Sequence, residues 1–424
     1  PNTLTCEVCL GMPGSKPRLN KQAVLHTLKL CLALNCHVTN PSYFSRKTYY
    51  YPDLSKNYQI TQYETPLGTN GTITVEGTTI RIKRVHLEED PAALEHVPNG
   101  TLIDYNRSGI PLAEIVTEPD ITSPEHARSF LKKMLNTLTY LNITSSDMSI
   151  KADVNVSVAK HNYTRVEIKN VTGFKEVERA LVYEIARQER EETIIQETRR
   201  WDVERTHSMR TKETEDDYGY IYDADLPQLN ITQEIISKTR GSIPRLSDER
   251  IKEYIARGVS FDDADVVTQD LHVADAYELV TKTSNPVTAA KWFRKEVLKV
   301  LNAKELPATA LNLKTLSDII MLLHDKKITE HTGRDLMTHI LEKDFSPREH
   351  VETSGTTMIS DSNVLEQLCK TAIDSSPKAV ADYKKGEEKA LNAIVGHVMK
   401  STKGTAKPDD VKKIIERMVG ELSI

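Results

Sequence analysis

The sequence predicts an α+β protein: a β-rich N-terminal domain over residues 1–228, an all-helical domain over 229–354 and a small helical tail domain over 355–424. Three observations carry that division. From Tyr43 to Tyr105, apolar residues recur in short alternating runs broken by Pro52-Asp53, Gly68, Asn70-Gly71 and Gly77, the pattern of strands and tight turns. After Pro227 the signals become helix openings: Ser247-Asp248-Glu249, Ser260-Phe261-Asp262 and Asn285-Pro286. Around Ser354-Gly355-Thr356-Thr357 the periodicity breaks and a lysine-rich segment follows. At about 150 residues per domain, 424 residues suffice for two or three cores.

Bulk composition narrows the class. With 38% hydrophobic residues and no apolar run long enough to span a bilayer, the chain reads as soluble, with no membrane partner. A formal charge of −5 gives no bulk attraction for nucleic acid, so DNA is not expected and any RNA contact must come from local patches. Five cysteines without disulfide spacing, and no signal peptide, fit a reducing cytoplasm. The chain opens at Pro1 with a Cys-x-x-Cys almost at once, so further residues are expected in front of it.

Taken in order, Cys6 and Cys9, followed by Gly11, Pro13 and Gly14, have the spacing of a zinc knuckle. One pair is half a tetrahedral site, which leaves zinc open. Cys31 and Cys36 accompany an amphipathic helix over residues 23–34 and read as core. Arg46 and Lys47 precede Tyr49, Tyr50 and Tyr51, a mixture suited to stacking on a base or ribose and contacting phosphate. The plainer reading of that segment is a strand with a snorkelling lysine. Asn70-Gly71 predicts a hairpin turn.

Ile80, Ile82, Val85 and Leu87 predict a half-buried strand ending in Glu88-Glu89-Asp90. Alternation puts Glu88 and Asp90 on one face and Glu89 on the other. Such a strand end offers hard oxygens to Mg²⁺, which binds through one or two carboxylates plus phosphate and water. Asp104, Tyr105, Asn106, Arg107, a Ser-Gly-Ile-Pro turn, Glu114, Glu118 and Asp120 follow closely. Ser123-Pro124-Glu125 caps a packing helix to about residue 141. Strands over 149–158 and 164–170 and a helix over 176–190 come next. Arg199, Arg210 and Lys212 then offer cations to phosphate, or form a solvated charge run. In the tail, Lys384, Lys385, Lys389, Lys400, Lys403 and Lys407 make a basic face, read either as phosphate-contacting or as solubilising.

HLEED at residues 86–90 and DYNRSGIPLAEIVTEPDITSPEHA at 104–127 resemble the B subunit (GatB) of the glutamyl-tRNA(Gln)/aspartyl-tRNA(Asn) amidotransferase. So do CEVCLGMPGSKPRLN, SRKTYYYPDLSKNYQITQYETPLG, ADVNVSV, RVEIKN, IQETRRWD, MRTKETEDDY and the tail, in the family's order. The resemblance implies a cradle domain in which ATP phosphorylates the side-chain carboxylate of Glu-tRNA(Gln) or Asp-tRNA(Asn), and ammonia displaces the phosphate. It implies Mg²⁺ on Glu88, Glu89 and Asp153, with Lys47, Arg107 and Lys169 as cations at the reacting phosphate. Tyr49, Asp104, Asn106, Asn170, Arg199, Arg210 and Lys212 are the further nucleotide-binding candidates. Implied partners are tRNA(Gln) or tRNA(Asn), bound in part by the tail, together with an amidase-type glutaminase subunit and a small tethering subunit. The absence of a GxxxxGK[ST] loop fits a cradle built from strands.

Three departures are visible. The family's upstream cysteine pair and its Gly-Leu-Glu-x-His strand, whose Glu and His help bind the metal, are not in this sequence. The segment 147–151 is shorter than the family's acidic loop. The family's Asp-Tyr-Arg-Tyr-Phe-Pro-Glu-Pro-Asp-Leu-Pro stands here as DYGYIYDADLP at residues 217–227, so Gly219 and Asp223 are left out of the site. These departures support an alternative, a tRNA-binding scaffold that kept the fold and lost the chemistry.

Overall fold

The computed structural model describes residues 5–144, 150–211, 218–342, 345–359, 362–387, 389–402 and 404–421, with His96, Asn170, Arg210, Thr211 and Glu421 described by backbone alone. The chain forms two compact units, Pro1–Leu246 and Ser247–Ile424. Among the described residues all strands lie in the first unit, and helices follow, in agreement with the α+β expectation.

In the first unit Asn20 caps α1 (Lys21–Ala33) by accepting from the backbone N–H groups of Gln22 and Ala23. Then come β1 (His37–Val38), β2 (Ser45–Thr48), β3 (Gln59–Thr61), β4 (Gly68–Val75), β5 (Thr78–Glu89), β6 (Ala93–Val97), β7 (Gly100–Asp104) and β8 (Pro111–Thr117). Ser123 caps α2 (Pro124–Tyr140), with Pro124 in the first turn where its missing N–H costs nothing. β9 (Lys151–Val156), β10 (Val166–Thr172), α3 (Phe174–Arg190), β11 (Glu197–Trp201), β12 (Thr206–Thr211), β13 (Gly219–Tyr222) and α4 (Gln233–Gly241) complete it.

The strands form sheets in the orders β1-β4-β5-β8, β12-β11-β10-β9 and β13-β2-β3, plus the hairpin β6-β7. β10 and β11 are parallel, which requires a crossover, and α3 supplies it. α1 packs on β4 and β5, so Leu28, Cys31, Ile80, Ile82 and Val85 share one core. Each such fully buried aliphatic side chain contributes roughly 1.5–3 kcal/mol. Cys31 and Cys36 are buried, as expected of core residues.

One expectation fails. Asn70-Gly71 lies inside β4, and the hairpin turn is Glu76-Gly77, both left-handed at φ 50° and 80°. Asn70 is also left-handed, at φ 52°, but within the strand. A Cβ on Gly71 would meet Leu34 O at 2.7 Å and collide with Cys36 Sγ, so the glycine admits the connection after α1.

In the second unit the helices are α5 (Ser247–Ala256), α6 (Phe261–Val267), α7 (Leu271–Val280), α8 (Pro286–Trp292), α9 (Leu298–Lys304), α10 (Leu313–His324), α11 (Glu330–Met337), α12 (Pro347–Ser354), α13 (Ser362–Asp374), α14 (Pro377–Lys384), α15 (Lys389–Ser401) and α16 (Pro408–Glu421). Ser260, Asp270, Asn285, Asn312 and Thr329 each cap the helix that follows. One hydrophobic cluster centres on Tyr254, Tyr277, Phe293, Leu316 and Ile320, another on Cys369, Leu391, Ile394, Val411 and Ile415. α12 ends at Gly355, left-handed at φ 61°.

Candidate active site

β5 and β8 are antiparallel with His86 opposite Glu114 and Glu88 opposite Leu112. Residues two apart on a strand share a face, so His86, Glu88 and Glu114 converge. One donor atom from each of the three lies within 4.8 Å of the others. His86 Nε2 is 3.0 Å from Glu114 Oε2 and 3.3 Å from Glu88 Oε1. Burial opposes charge on His86, but its bonds to Glu114 and Glu88 outweigh that and raise its pKa. Burial likewise works against the Glu114 carboxylate, while His86, Arg84 and Lys47 together pull its pKa down.

β3 grips the Glu88 carboxylate. Thr61 Oγ1 donates to Glu88 Oε1 at 3.0 Å, and Gln59 Nε2 donates to Glu88 Oε2 at 3.2 Å. Both donors are buried, so water does not replace them. Glu88 is therefore held in one orientation before any ligand arrives.

Glu89 points elsewhere. Its carboxylate accepts from Lys56 Nζ at 2.6 Å and from the Ile60 backbone N–H at 3.0 Å, with both side chains nearly buried. It fastens the segment before β3 to the end of β5. Asp90 pairs with Arg107 at 3.0 Å, and Arg107 also donates to the Pro91 and Ala92 carbonyls. Burial raises the Asp90 pKa against the pull of Arg107 and Lys151, which places the start of β9 near this strand end. Asp104 caps the turn Tyr105–Arg107, accepting from both the backbone and side-chain nitrogens of Asn106.

On the neighbouring sheet, Asp153 lies 3.6 Å from Lys169, which is 3.9 Å from Glu167. Asn170 is the next residue of β10, its side chain outside the described residues, as are that of Arg210 and the whole of Lys212. Arg199 donates to Glu197 Oε1 at 2.6 Å and to the Thr206 hydroxyl and carbonyl. It is joined there by the buried Glu184–Arg187 pair, an internal network under α3. Among the described residues, the expected phosphate cation that acts on Glu114 is Lys47, whose Nζ sits 4.8 Å from the Tyr218 ring centre and 6.0 Å from that of Tyr49.

Arg46, its neighbour, faces the other way. It holds the fully buried Asp223 through Nε at 3.0 Å and Nη2 at 3.2 Å, and reaches Asp225 at 2.8 Å. Asp223 thus anchors β13 to β2. Gly219 lies opposite Thr48, where a Cβ would strike the threonine hydroxyl.

Cys6 and Cys9 sit with sulfurs 3.6 Å apart in a knuckle closed by a 3.0 Å bond from Leu10 N to Cys6 O. Bonds within the knuckle, that from the Cys9 backbone foremost, lower the Cys6 pKa, and burial raises that of Cys9. Among the described residues no third histidine, cysteine or acid joins them, so they supply two of the four ligands a structural zinc takes.

Of the three carboxylates expected to share Mg²⁺, Glu88 alone belongs to the converging group; Glu89 and Asp153 have the separate partners given above. His86, Glu114, Gln59 and Thr61 were outside the sequence-derived site. The signal for His86 was present, two residues before Glu88 on the same strand. Glu114, Gln59 and Thr61 depend on strand register, which spacing along the chain does not reveal.

Residues 1–237 match the GatB/GatE catalytic domain family, and residues 275–419 match the GatB domain family. Over its full length the chain is 40% identical to the aspartyl/glutamyl-tRNA(Asn/Gln) amidotransferase B subunit of Brevibacillus brevis, covering 93% of that protein. It is 41% identical to the protein of the same name in Carboxydothermus hydrogenoformans, again over the full chain and 93% of the relative. The Thermotoga maritima counterpart is 38% identical over 99% of this chain and 92% of its own length.

Proposed function

The chain belongs to the GatB family, the B subunits of the aspartyl/glutamyl-tRNA(Asn/Gln) amidotransferases, and on that premise we propose how its own residues do the work. It is a glutamine-hydrolysing ligase subunit that amidates mischarged Glu-tRNA(Gln), Asp-tRNA(Asn) or both. The carrying observation is the convergence of His86, Glu88 and Glu114 within 4.8 Å. The carboxylates of Glu88 and Glu114 are hard oxygen donors that would suit a Mg²⁺ keeping positions for phosphate and water, with His86 bonded to both of them. When bound, Mg²⁺ and ATP supply charge neutralisation and the phosphoryl group that turns an unreactive carboxylate into an acyl phosphate.

Around them the chain's residues position and neutralise. Gln59 and Thr61 fix Glu88, and His86 ties Glu88 to Glu114 across the strands. Lys47 brings a cation to the rim of the group. Lys169, with Asp153 beside it, is proposed to meet phosphate from the adjoining sheet, while Glu89 and Arg107 keep the strand end and its turn in place. Ammonia is supplied by a glutaminase subunit of the amidase type, a small third subunit tethers the pair, and the lysines of the tail meet tRNA phosphates.

The test is Glu114→Gln and Glu88→Gln in the assembled complex. Each should abolish aminoacyl-tRNA-dependent ADP release and amidation. Because removing even an outer partner of a metal typically costs 10–100-fold, a direct ligand should cost at least about that. Wild-type rates in both variants would refute the assignment of these two carboxylates as metal ligands.

A further inference from the structure

The sheet β13-β2-β3 carries registered rows that end at Glu88. Tyr220 lies opposite Lys47, and Lys47 opposite Gln59; Tyr222 lies opposite Ser45, and Ser45 opposite Thr61. Gln59 and Thr61 are the donors on the Glu88 carboxylate. Paired residues project from the same face, so each row runs from a tyrosine on the edge strand to the carboxylate group. Strands lie about 4.8 Å apart, so each row spans roughly 10 Å. The inner ends are buried, whereas Tyr222 is 48% exposed.

The edge is aromatic along its length. Tyr222 meets Tyr43 edge-on at 5.3 Å, Tyr220 stacks on Tyr63 at 3.8 Å and 14°, and Tyr218 meets Tyr49 edge-on at 5.4 Å. Edge-on contacts hold a ring upright and leave one of its faces for a further stack. Lys47 stands between this edge and the carboxylates, near both Tyr218 and Glu114. An aromatic edge leading past a cation to a carboxylate group offers a stack for a base and a path inward for an aminoacyl group esterified to its ribose.

We propose that Tyr222, with Tyr220 beside it, stacks the 3′-terminal base of the RNA acceptor end whose aminoacyl carboxylate reaches the Glu88 group. The inference rests on the reading of that group as the amidation site. It commits to the RNA end rather than to the base of ATP because Tyr222 is open at a sheet edge. A polymer must leave its site through an open flank, whereas a mononucleotide need not. Stacking, unlike phosphate contact, releases no counterions.

The experiment uses the complete complex and two competitor minihelices of the acceptor stem, one intact and one abasic at its 3′ end. Wild-type complex should bind the intact minihelix about ten-fold more tightly, the order of one base–aromatic stack. Tyr222→Ala should lose that preference, Tyr222→Phe should keep it, and the slope of log affinity against log salt should stay the same in all three. KM for Glu-tRNA(Gln) should rise about ten-fold in Tyr222→Ala, with KM for ATP unmoved. Tyr222→Leu, which keeps apolar contact with Tyr43 but removes the ring face, guards against misfolding and should behave as Ala does. Undiminished preference in the Ala and Leu variants overturns the proposal, and so does a rise confined to ATP. Because the competition measures binding, its failure is separable from a failure of the amidation reading, which would appear as an inactive wild-type complex.

Discussion

Thr61→Val tests whether Glu88 works because it is held. Valine keeps the shape of threonine and removes the hydroxyl that donates to Glu88 Oε1 at 3.0 Å, the shortest of the three contacts on that carboxylate. The site is 2% exposed, so no water substitutes. A hydrogen bond to a charged group nets about 1.5–3 kcal/mol, and 1.4 kcal/mol corresponds to ten-fold in an equilibrium. Gln59 and His86 remain, so the lower end applies, and the Mg²⁺ concentration for half-maximal tRNA-dependent ADP release should rise roughly ten-fold. Thr61→Ser restores the donor and should restore the Mg²⁺ requirement. An unchanged requirement in the valine variant, or an equal defect in the serine variant, would refute the claim that β3 orients the metal ligand.

Asp223→Asn removes the charge that Arg46 grips with two bonds; breaking such a pair costs about 3–5 kcal/mol, and the lower figure applies because Arg46 keeps Asp225. Urea denaturation measures it, and a loss under about 1 kcal/mol would contradict the anchoring role. Gly109, at φ 81°, would place a Cβ 2.5 Å from Cys9 Sγ, so Gly109→Ala should destabilise by roughly 1–2 kcal/mol from backbone strain alone and displace the knuckle; an unaltered melting temperature would count against that packing. Burial opposes the Glu184 carboxylate, but bonds from Arg187, Gln188 and Thr206 depress its pKa below the ordinary 4.5. Its stabilisation is then complete above about pH 4.5 and is lost as pH falls through the lower folded value. Glu184→Gln should flatten that acid limb in denaturation curves below about pH 4.5, and parallel curves there would refute the assignment.

What the sequence disclosed and what it withheld follow from the range of the forces. Caps are local, and Ser123, Ser260 and Asn285 mark the helices that they open. The strand before Glu88 was legible for the same reason. Glu114 was visible as an acid but not as a partner, since only the β5–β8 register brings it to His86. Arg199 looked like a phosphate cation because a charge run carries no sign of what lies opposite; here Glu184, Glu197 and Thr206 do. Asn70-Gly71 has the composition of a turn, yet a left-handed residue serves equally inside a distorted strand.

That distortion explains why the carboxylate faces the site at all. Along β5 the apolar residues are Ile80 and Ile82, then Val85 and Leu87: even positions give way to odd ones. An unbroken strand would put His86 and Glu88 on the face of Ile80 and Ile82, toward the core. Between Ile82 and Arg84 the pairing with β8 shifts by one residue, from Ile82↔Thr117 to Arg84↔Val116, the mark of a β-bulge. In β4, Asn70 stands across from Lys83 with its backbone left-handed, between the buried Gly68 and the buried Gly71, where the same change of face occurs. Beyond the bulge Val85 and Leu87 keep the strand anchored in the core, and His86 and Glu88 are turned toward Glu114, Gln59 and Thr61. Glu89, with opposite parity, is left for Lys56 and the strand end. The parity change is readable in the sequence as an apolar pattern that slips by one, so a slipped pattern just before an acidic strand end is itself a signal for a site.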